Sequence, residues 1–307
     1  MRRYFAVAIA AAITCACTST QPVDSNCKLV EQAEWPVRIE SGRLLVDASI
    51  NGHQVEGILQ IGSPKSAVMR TALSRLDIRS DFANGREASG AVRDRFVDYA
   101  FIEEIKIGRT SQKKLEAYVV DGKDVGDAAF ILGYDFFGHR DFEVDLQNNV
   151  IRLFSAQGCT GTSLAYWARG VANEIPIKTR EFATSNPSPF IDVQINGQRV
   201  AANLNSAGSR SSISGKLVRR LRQEQDNQPL FTTDVAEFDT FTIGGETIHN
   251  AKLVLRDMSG EYVMLGLDFF RAHRVLLAHS QGKMYFTYTG GPVFSPQAPA
   301  AAMPKRN

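Results

Sequence analysis

The sequence is short of the residues that mark several functional classes. It holds four cysteines and five histidines in 307 residues. No two cysteines form a CxxC pair and no HExxH occurs, so the close ligand spacing of a zinc site is missing. Four cysteines are also too few for a disulfide scaffold of this length. Excess charge of one sign is scarce: 35 basic residues against 33 acidic ones give a net charge of +2. That gives no electrostatic footprint for a nucleic-acid partner. There is no Gly-x-Ser-x-Gly elbow, no Walker loop and no dinucleotide fingerprint, and no cofactor is implied. No apolar run reaches the roughly twenty residues of a membrane-spanning helix. With 44% apolar and 22% charged residues, 24 Gly and 11 Pro, the composition is globular. A disordered or collagen-like chain is excluded. The length fits about two domains.

The chain starts with an address. Met1-Arg2-Arg3 is basic, and Tyr4 to Ile13 is almost wholly Ala, Val, Ile and Phe. This is the pattern of a secretory signal, too short to span a bilayer. Ile13-Thr14-Cys15-Ala16-Cys17 then resembles the lipobox of bacterial lipoproteins, with Thr14 where that family usually has Leu. The resemblance implies a signal peptide over 1–16 and lipidation at Cys17, which small Ala16 precedes. Thr18 after the cysteine, instead of Asp, resembles lipoproteins sent to the outer membrane. Loss of Arg2 and Arg3 takes the net charge from +2 to 0. Membrane attachment in the cell envelope or periplasm then comes from the lipid alone. Export leaves Cys27 and Cys159 on the mature body. In an oxidising compartment they either pair or stay as separate thiols, and a disulfide is the expectation.

Beyond a linker over 17–34, the chain repeats itself. Leu45-Val46-Asp47-Ala48-Ser49-Ile50-Asn51-Gly52 reads against Phe190-Ile191-Asp192-Val193-Gln194-Ile195-Asn196-Gly197, 145 residues on. Each is an alternating strand ending in Asn-Gly, the strongest short hairpin signal. Each hairpin leads into a small-residue turn, Gln60-Ile61-Gly62-Ser63 in one copy and Asn205-Ser206-Ala207-Gly208-Ser209 in the other. A short helical stretch follows, Val68 to Leu76 and Ile213 to Leu221. The copies close alike: Leu132-Gly133-Tyr134-Asp135-Phe136-Phe137 against Leu265-Gly266-Leu267-Asp268-Phe269-Phe270, 133 residues apart. Many short β-branched runs and little helix predict two mostly-β domains, 35–155 and 185–291. Residues 156–184 read as a linker, and 292–307, rich in Pro and Ala, as a disordered tail.

Hairpin, small-residue turn, helix and Leu-Gly-x-Asp-Phe together resemble the retropepsin-like aspartic peptidases, across both copies. The resemblance implies an all-β fold of two closed β-barrel domains in tandem, forming a pepsin-like pseudo-dimer. Each domain of that family gives one Asp-Thr-Gly turn to a shared cleft. Two adjacent carboxylates share a proton there, because like charges so close cannot both ionise. One activates water while the other protonates the substrate carbonyl. Here the acid positions align with Gln60 and Asn205, and an amide neither takes nor releases a proton near neutral pH. The threonine that braces the two turns in the family becomes Ile61 in one copy and Ser206 in the other. Asp135 and Asp268 fall where the family supports the cleft wall. Asp47 and Asp192 read as surface strand carboxylates. A flap containing Gly90 is expected over 87–92, with no Gly in the corresponding 228–233.

The leading expectation is therefore an inactive member of the fold, with Gln60, Ser63, Gly90, Asn205, Ser206 and Ser209 offering polar groups to an extended peptide. The alternatives are an active aspartic endopeptidase with carboxylates placed elsewhere, and a structural envelope protein that binds another envelope protein.

Overall fold

The computed structural model describes residues 26–81, 87–88, 95–96, 98–122, 125–169, 171–181, 187–223 and 235–294. The segment read as a signal peptide, Cys17, the expected flap residue Gly90 and the 228–233 segment lie outside the described residues, as do residues 295–307 of the expected tail.

The first half runs β1 (Lys28–Glu40), β2 (Arg43–Ile50), β3 (His53–Leu59) and β4 (Ala67–Met69), then short β5 (Arg79–Asp81), β6 (Glu87–Ala88) and β7 (Arg95–Phe96). It continues through β8 (Tyr99–Ile107), β9 (Thr110–Val120), β10 (Phe130–Leu132), α1 (Tyr134–Phe137), β11 (Asp141–Asp145) and β12 (Val150–Gln157). The second half runs β13 (Asn173–Pro176), β14 (Lys178–Glu181), β15 (Pro187–Ile195), β16 (Gln198–Leu204), β17 (Ser212–Ser214) and α2 (Gly215–Arg222). Then come β18 (Val235–Ile243), β19 (Glu246–Arg256), β20 (Val263–Leu265), α3 (Leu267–Ala272), β21 (His273–Ala278) and β22 (Lys283–Tyr288).

Each copy closes into a six-stranded barrel. The first has the order β2-β3-β10-β4-β9-β8 and closes where Ile50 pairs with Ile105. The second, β15-β16-β20-β17-β19-β18, closes where Ile195 pairs with Phe241. Closure leaves no sheet edge around the barrel. Alternation along each strand sends Leu44, Val46, Ala48 and Ile50 inward in one copy, and Ile191, Val193 and Ile195 in the other. Asn51 and Asn196 sit at φ 49° and 47° before Gly52 and Gly197 at 89° and 78°, the left-handed pair that a tight hairpin turn demands. Each Asn side-chain oxygen also accepts an N–H from a neighbouring strand, Glu104 at 3.1 Å and Thr240 at 3.0 Å.

A third sheet joins the lobes: β13-β22-β21-β11-β12-β1. Its seam is β11 against β21, with Phe142 opposite Leu277 and Val144 opposite Val275. Glu143 and Asp145 of β11 are 0% and 1% exposed. They are charge-compensated from both lobes. Arg152 reaches them at 2.7 and 3.2 Å, and Arg274 at 3.0 and 3.6 Å. Tyr166 and Trp167 lie against the Arg274 guanidinium.

Two segments read as linkers carry structure. Residues 28–34 are the start of β1, and 173–181 form β13 and β14. The reason is that one entry strand serves two sheets in each copy. In the first, β1 pairs with β12 up to Pro36 and with β2 from Val37. In the second, the switch at Pro176 and Ile177 splits the strand in two. The stretch 158–169 packs on the interlobe sheet through Leu164, Ala165 and Trp167, beside Phe154, Leu276 and Tyr285. Cys27 and Cys159 are disulfide-bonded at its edge, with Cα atoms 4.3 Å apart. The helical stretches differ between copies. The second is α2, while the first is a pair of 3-10 turns, Arg70–Ala72 and Ser74–Leu76.

Candidate functional site

The two small-residue turns meet at the lobe junction. Gln60 follows β3 and donates its N–H to Leu132 O at 2.9 Å, extending the parallel β3–β10 pairing. Asn205 follows β16 and donates to Leu265 O at 2.9 Å in the same way. Each turn is then pinned by the chain that crosses beneath it. Tyr134 N–H donates to Ser63 O at 2.7 Å, and Leu267 N–H to Gly208 O at 2.8 Å. Gly133 and Gly266 make the crossings. A Cβ on Gly133 would lie 2.6 Å from the Lys65 carbonyl carbon, and one on Gly266 2.6 Å from that of Arg210.

Asp135 and Asp268 hold the crossings from the other side. Asp135 accepts the N–H and hydroxyl of Ser66 at 2.9 and 2.7 Å. Asp268 accepts those of Ser211 at 2.8 and 2.6 Å. The two serine hydroxyls in turn accept the N–H of Gly133 and Gly266, each at 2.9 Å. Burial pushes both carboxyls up from the usual range, against the serine hydrogen bonds that pull them down. Both acids are committed to scaffolding. Ser66 and Ser211 were missed as site residues, although they recur at the 145-residue offset of the two turns. Asp47 and Asp192 lie on the outside of their barrels, ion-paired with Arg38 at 2.9 Å and Lys178 at 2.6 Å.

Lobe-to-lobe bonding is one-sided. Fully buried Ser206 donates its hydroxyl to Leu59 O at 2.7 Å and accepts the Ile61 N–H at 3.0 Å. Ile61 has no hydroxyl with which to reciprocate. The second side-chain bond across the junction comes from the same lobe: Ser188 donates to Gly62 O at 2.5 Å. Asn203 supports that serine by donating to its oxygen at 3.4 Å and to Pro189 O at 2.9 Å. Neither Ser188 nor Asn203 recurs in the first copy, where the 145-residue offset places Arg43 and Ile58, so the repeat does not single them out. Gly62 is required where it stands: a Cβ there would lie 2.8 Å from the Asn205 Cβ.

Of the residues named from the sequence, the structure gathers Gln60, Ser63, Asn205, Ser206 and Ser209 at this junction. Ser209 packs against Gly42 at the tip of the β1–β2 hairpin. The two carboxamides differ. Asn205 is tied into its own turn: its oxygen accepts Ala207 N–H at 2.8 Å, and its nitrogen donates to Asn203 at 3.2 Å. Gln60 Oε1 is buried without a hydrogen bond. A buried acceptor left unpaired costs about 1–3 kcal/mol. No group of three or more His, Cys, Asp or Glu able to hold a metal occurs among the described residues. No described carboxylate belongs to either turn, so the turns offer amides and hydroxyls where proton exchange would need acids.

Residues 46–136, from β2 to α1, match the family described as Aspartyl protease. Among solved structures, the aspartic proteinase from Irpex lacteus is similar at 10% identity and a TM-score of 0.53, covering 84% of this chain and 97% of its own. The structure of a protein called edgp is similar at 9% identity and a TM-score of 0.51, covering 83% of this chain and 94% of its own. A search of curated proteins finds no match. The family match spans the first barrel, and the solved structures share the fold, a pepsin-like arrangement of two barrels.

Proposed function

We propose that this chain is an exported envelope protein whose aspartic-peptidase fold binds extended peptide and does not cleave it. The observation that carries this reading is the pair Gln60 and Asn205, placed in two turns that meet at the lobe junction with their scaffolding intact. Turn, crossing glycine and supporting carboxyl are kept in both lobes, while the two positions that would share a proton hold amides. Acid–base hydrolysis needs that proton. A peptide in extended form suits a cleft between β-domains, because its main chain pairs with polar groups along the walls. Fold alone does not transfer activity. The lipobox-like segment supports lipid attachment at Cys17, which fatty-acid labelling of the wild type but not of Cys17→Ser tests. The peptide reading is tested by calorimetry against an octapeptide library, with mass spectrometry of the same mixtures. Saturable binding with every peptide intact supports it, and cleaved peptides or no binding overturns it.

A further inference from the structure

Resting on that reading, we propose that Gln60, and not Asn205, reads the ligand, by pairing its carboxamide with the N–H and C=O of one residue of an extended chain. The two positions are equivalent in the fold and unequal in chemistry. Asn205 spends its oxygen on Ala207 N–H and its nitrogen on Asn203, so it serves as a turn cap. Ser206 spends its hydroxyl on the lobe junction, donating to Leu59 O and accepting from Ile61 N–H. Ser63 donates to Lys65 O at 3.1 Å. Arg210, whose Nη2 is buried without a hydrogen bond, sits within electrostatic reach of the Asp268 carboxylate and is compensated by it. Among the described residues of the two turns, this leaves Gln60 Oε1 as the buried side-chain acceptor without a partner. Its backbone is already committed, N–H to Leu132 and C=O to Ser63, so the side chain is what remains for a ligand.

A carboxamide carries a donor and an acceptor side by side. Its complement is a residue whose N–H and C=O point to the same side, as alternate residues of an extended chain present them. An isolated carboxylate ligand has no donor for the buried oxygen, and an ammonium ligand has no acceptor for the Gln60 nitrogen. The ligand class is therefore an uncharged main chain with a free N–H at one central residue, of any side chain. Proline or an N-methylated residue there removes the donor.

The test takes the tightest octapeptide from the library and methylates its backbone nitrogens one at a time. Full-length wild type and Gln60→Met are titrated with each peptide by calorimetry. The expected result is one position where methylation weakens wild-type binding about tenfold, a loss absent in Gln60→Met, which binds the parent about tenfold more weakly. Should Gln60→Met fail to fold, Gln60→Glu keeps the shape and the acceptor but loses the donor, so it is expected to bind the parent about tenfold more weakly while still sensing methylation at that position. Binding that ignores both the scan and the Gln60 variants overturns this inference and leaves peptide binding standing. No binding to any octapeptide overturns both.

Discussion

The Ser206 hydroxyl and the Leu59 carbonyl, 147 residues apart in sequence, meet at 2.7 Å in the buried junction between the lobes. The same oxygen accepts the Ile61 N–H. One side chain therefore joins the two turns, where a symmetric pair of lobes would use two. Ser206→Ala leaves two buried backbone groups unpaired and is expected to cost about 2–4 kcal/mol in denaturant unfolding. Ser206→Thr keeps the hydroxyl and is expected to recover most of that loss.

Restoring acids tests whether the turns keep their geometry. In Gln60→Asp/Asn205→Asp, two carboxyls stand at the junction and share a proton. The double variant is expected to cleave peptides at acid pH at least about 100-fold faster than the wild type. Neither single variant is expected to gain, because one acid has no partner with which to exchange the proton. Discontinuous peptide assays followed by mass spectrometry distinguish the three.

The Cys27–Cys159 disulfide closes a loop of 132 residues and ties the start of β1 to the stretch that packs on the interlobe sheet. Cys27→Ser/Cys159→Ser is expected to lose about 2–5 kcal/mol of stability. Thermal melts with and without reductant check this. The wild type should approach the variant when reduced, and the variant should not respond.

His279 gives the pH dependence a sign. Burial lowers its pKa from the ordinary 6.5 to about 4, with its ring against Tyr134 and Phe142. A base depressed in the folded state contributes stability that is full above the unfolded value and is lost as pH falls from about 6.5 to about 4. Asp135 and Asp268, raised by burial, act in the opposite sense, because each favours the folded state most when protonated. His279→Gln is expected to flatten the acid-side loss by up to about 3 kcal/mol, read from unfolding midpoints across that window.

The parts legible in the sequence are those fixed by local chemistry. Asn51-Gly52 and Asn196-Gly197 announce their turns because few residues tolerate positive φ. The recurrence of Leu-Gly-x-Asp-Phe gave the paired crossings, whose glycines leave no room for a Cβ. What escaped depends on distant partners. Glu34-Trp35-Pro36-Val37-Arg38 recurs as Glu174-Ile175-Pro176-Ile177-Lys178, the entry strand of each copy. It was hidden because its offset of 140 residues differs from those of both other repeats. The seam of β11 with β21 and its buried charges carry no local signal. Glu143 reads as a surface residue until Arg152 and Arg274 arrive from two strands. Within the site, Gln60 and Asn205 were legible as amides, but the difference between a free Gln60 and a tied Asn205 is a matter of geometry.

The most direct measurement is an incubation of the purified wild-type chain with the octapeptide library from about pH 3 to pH 7, read by mass spectrometry. The account predicts that every peptide survives intact while binding persists. Pepstatin-sensitive cleavage that disappears on substituting a single aspartate would contradict it.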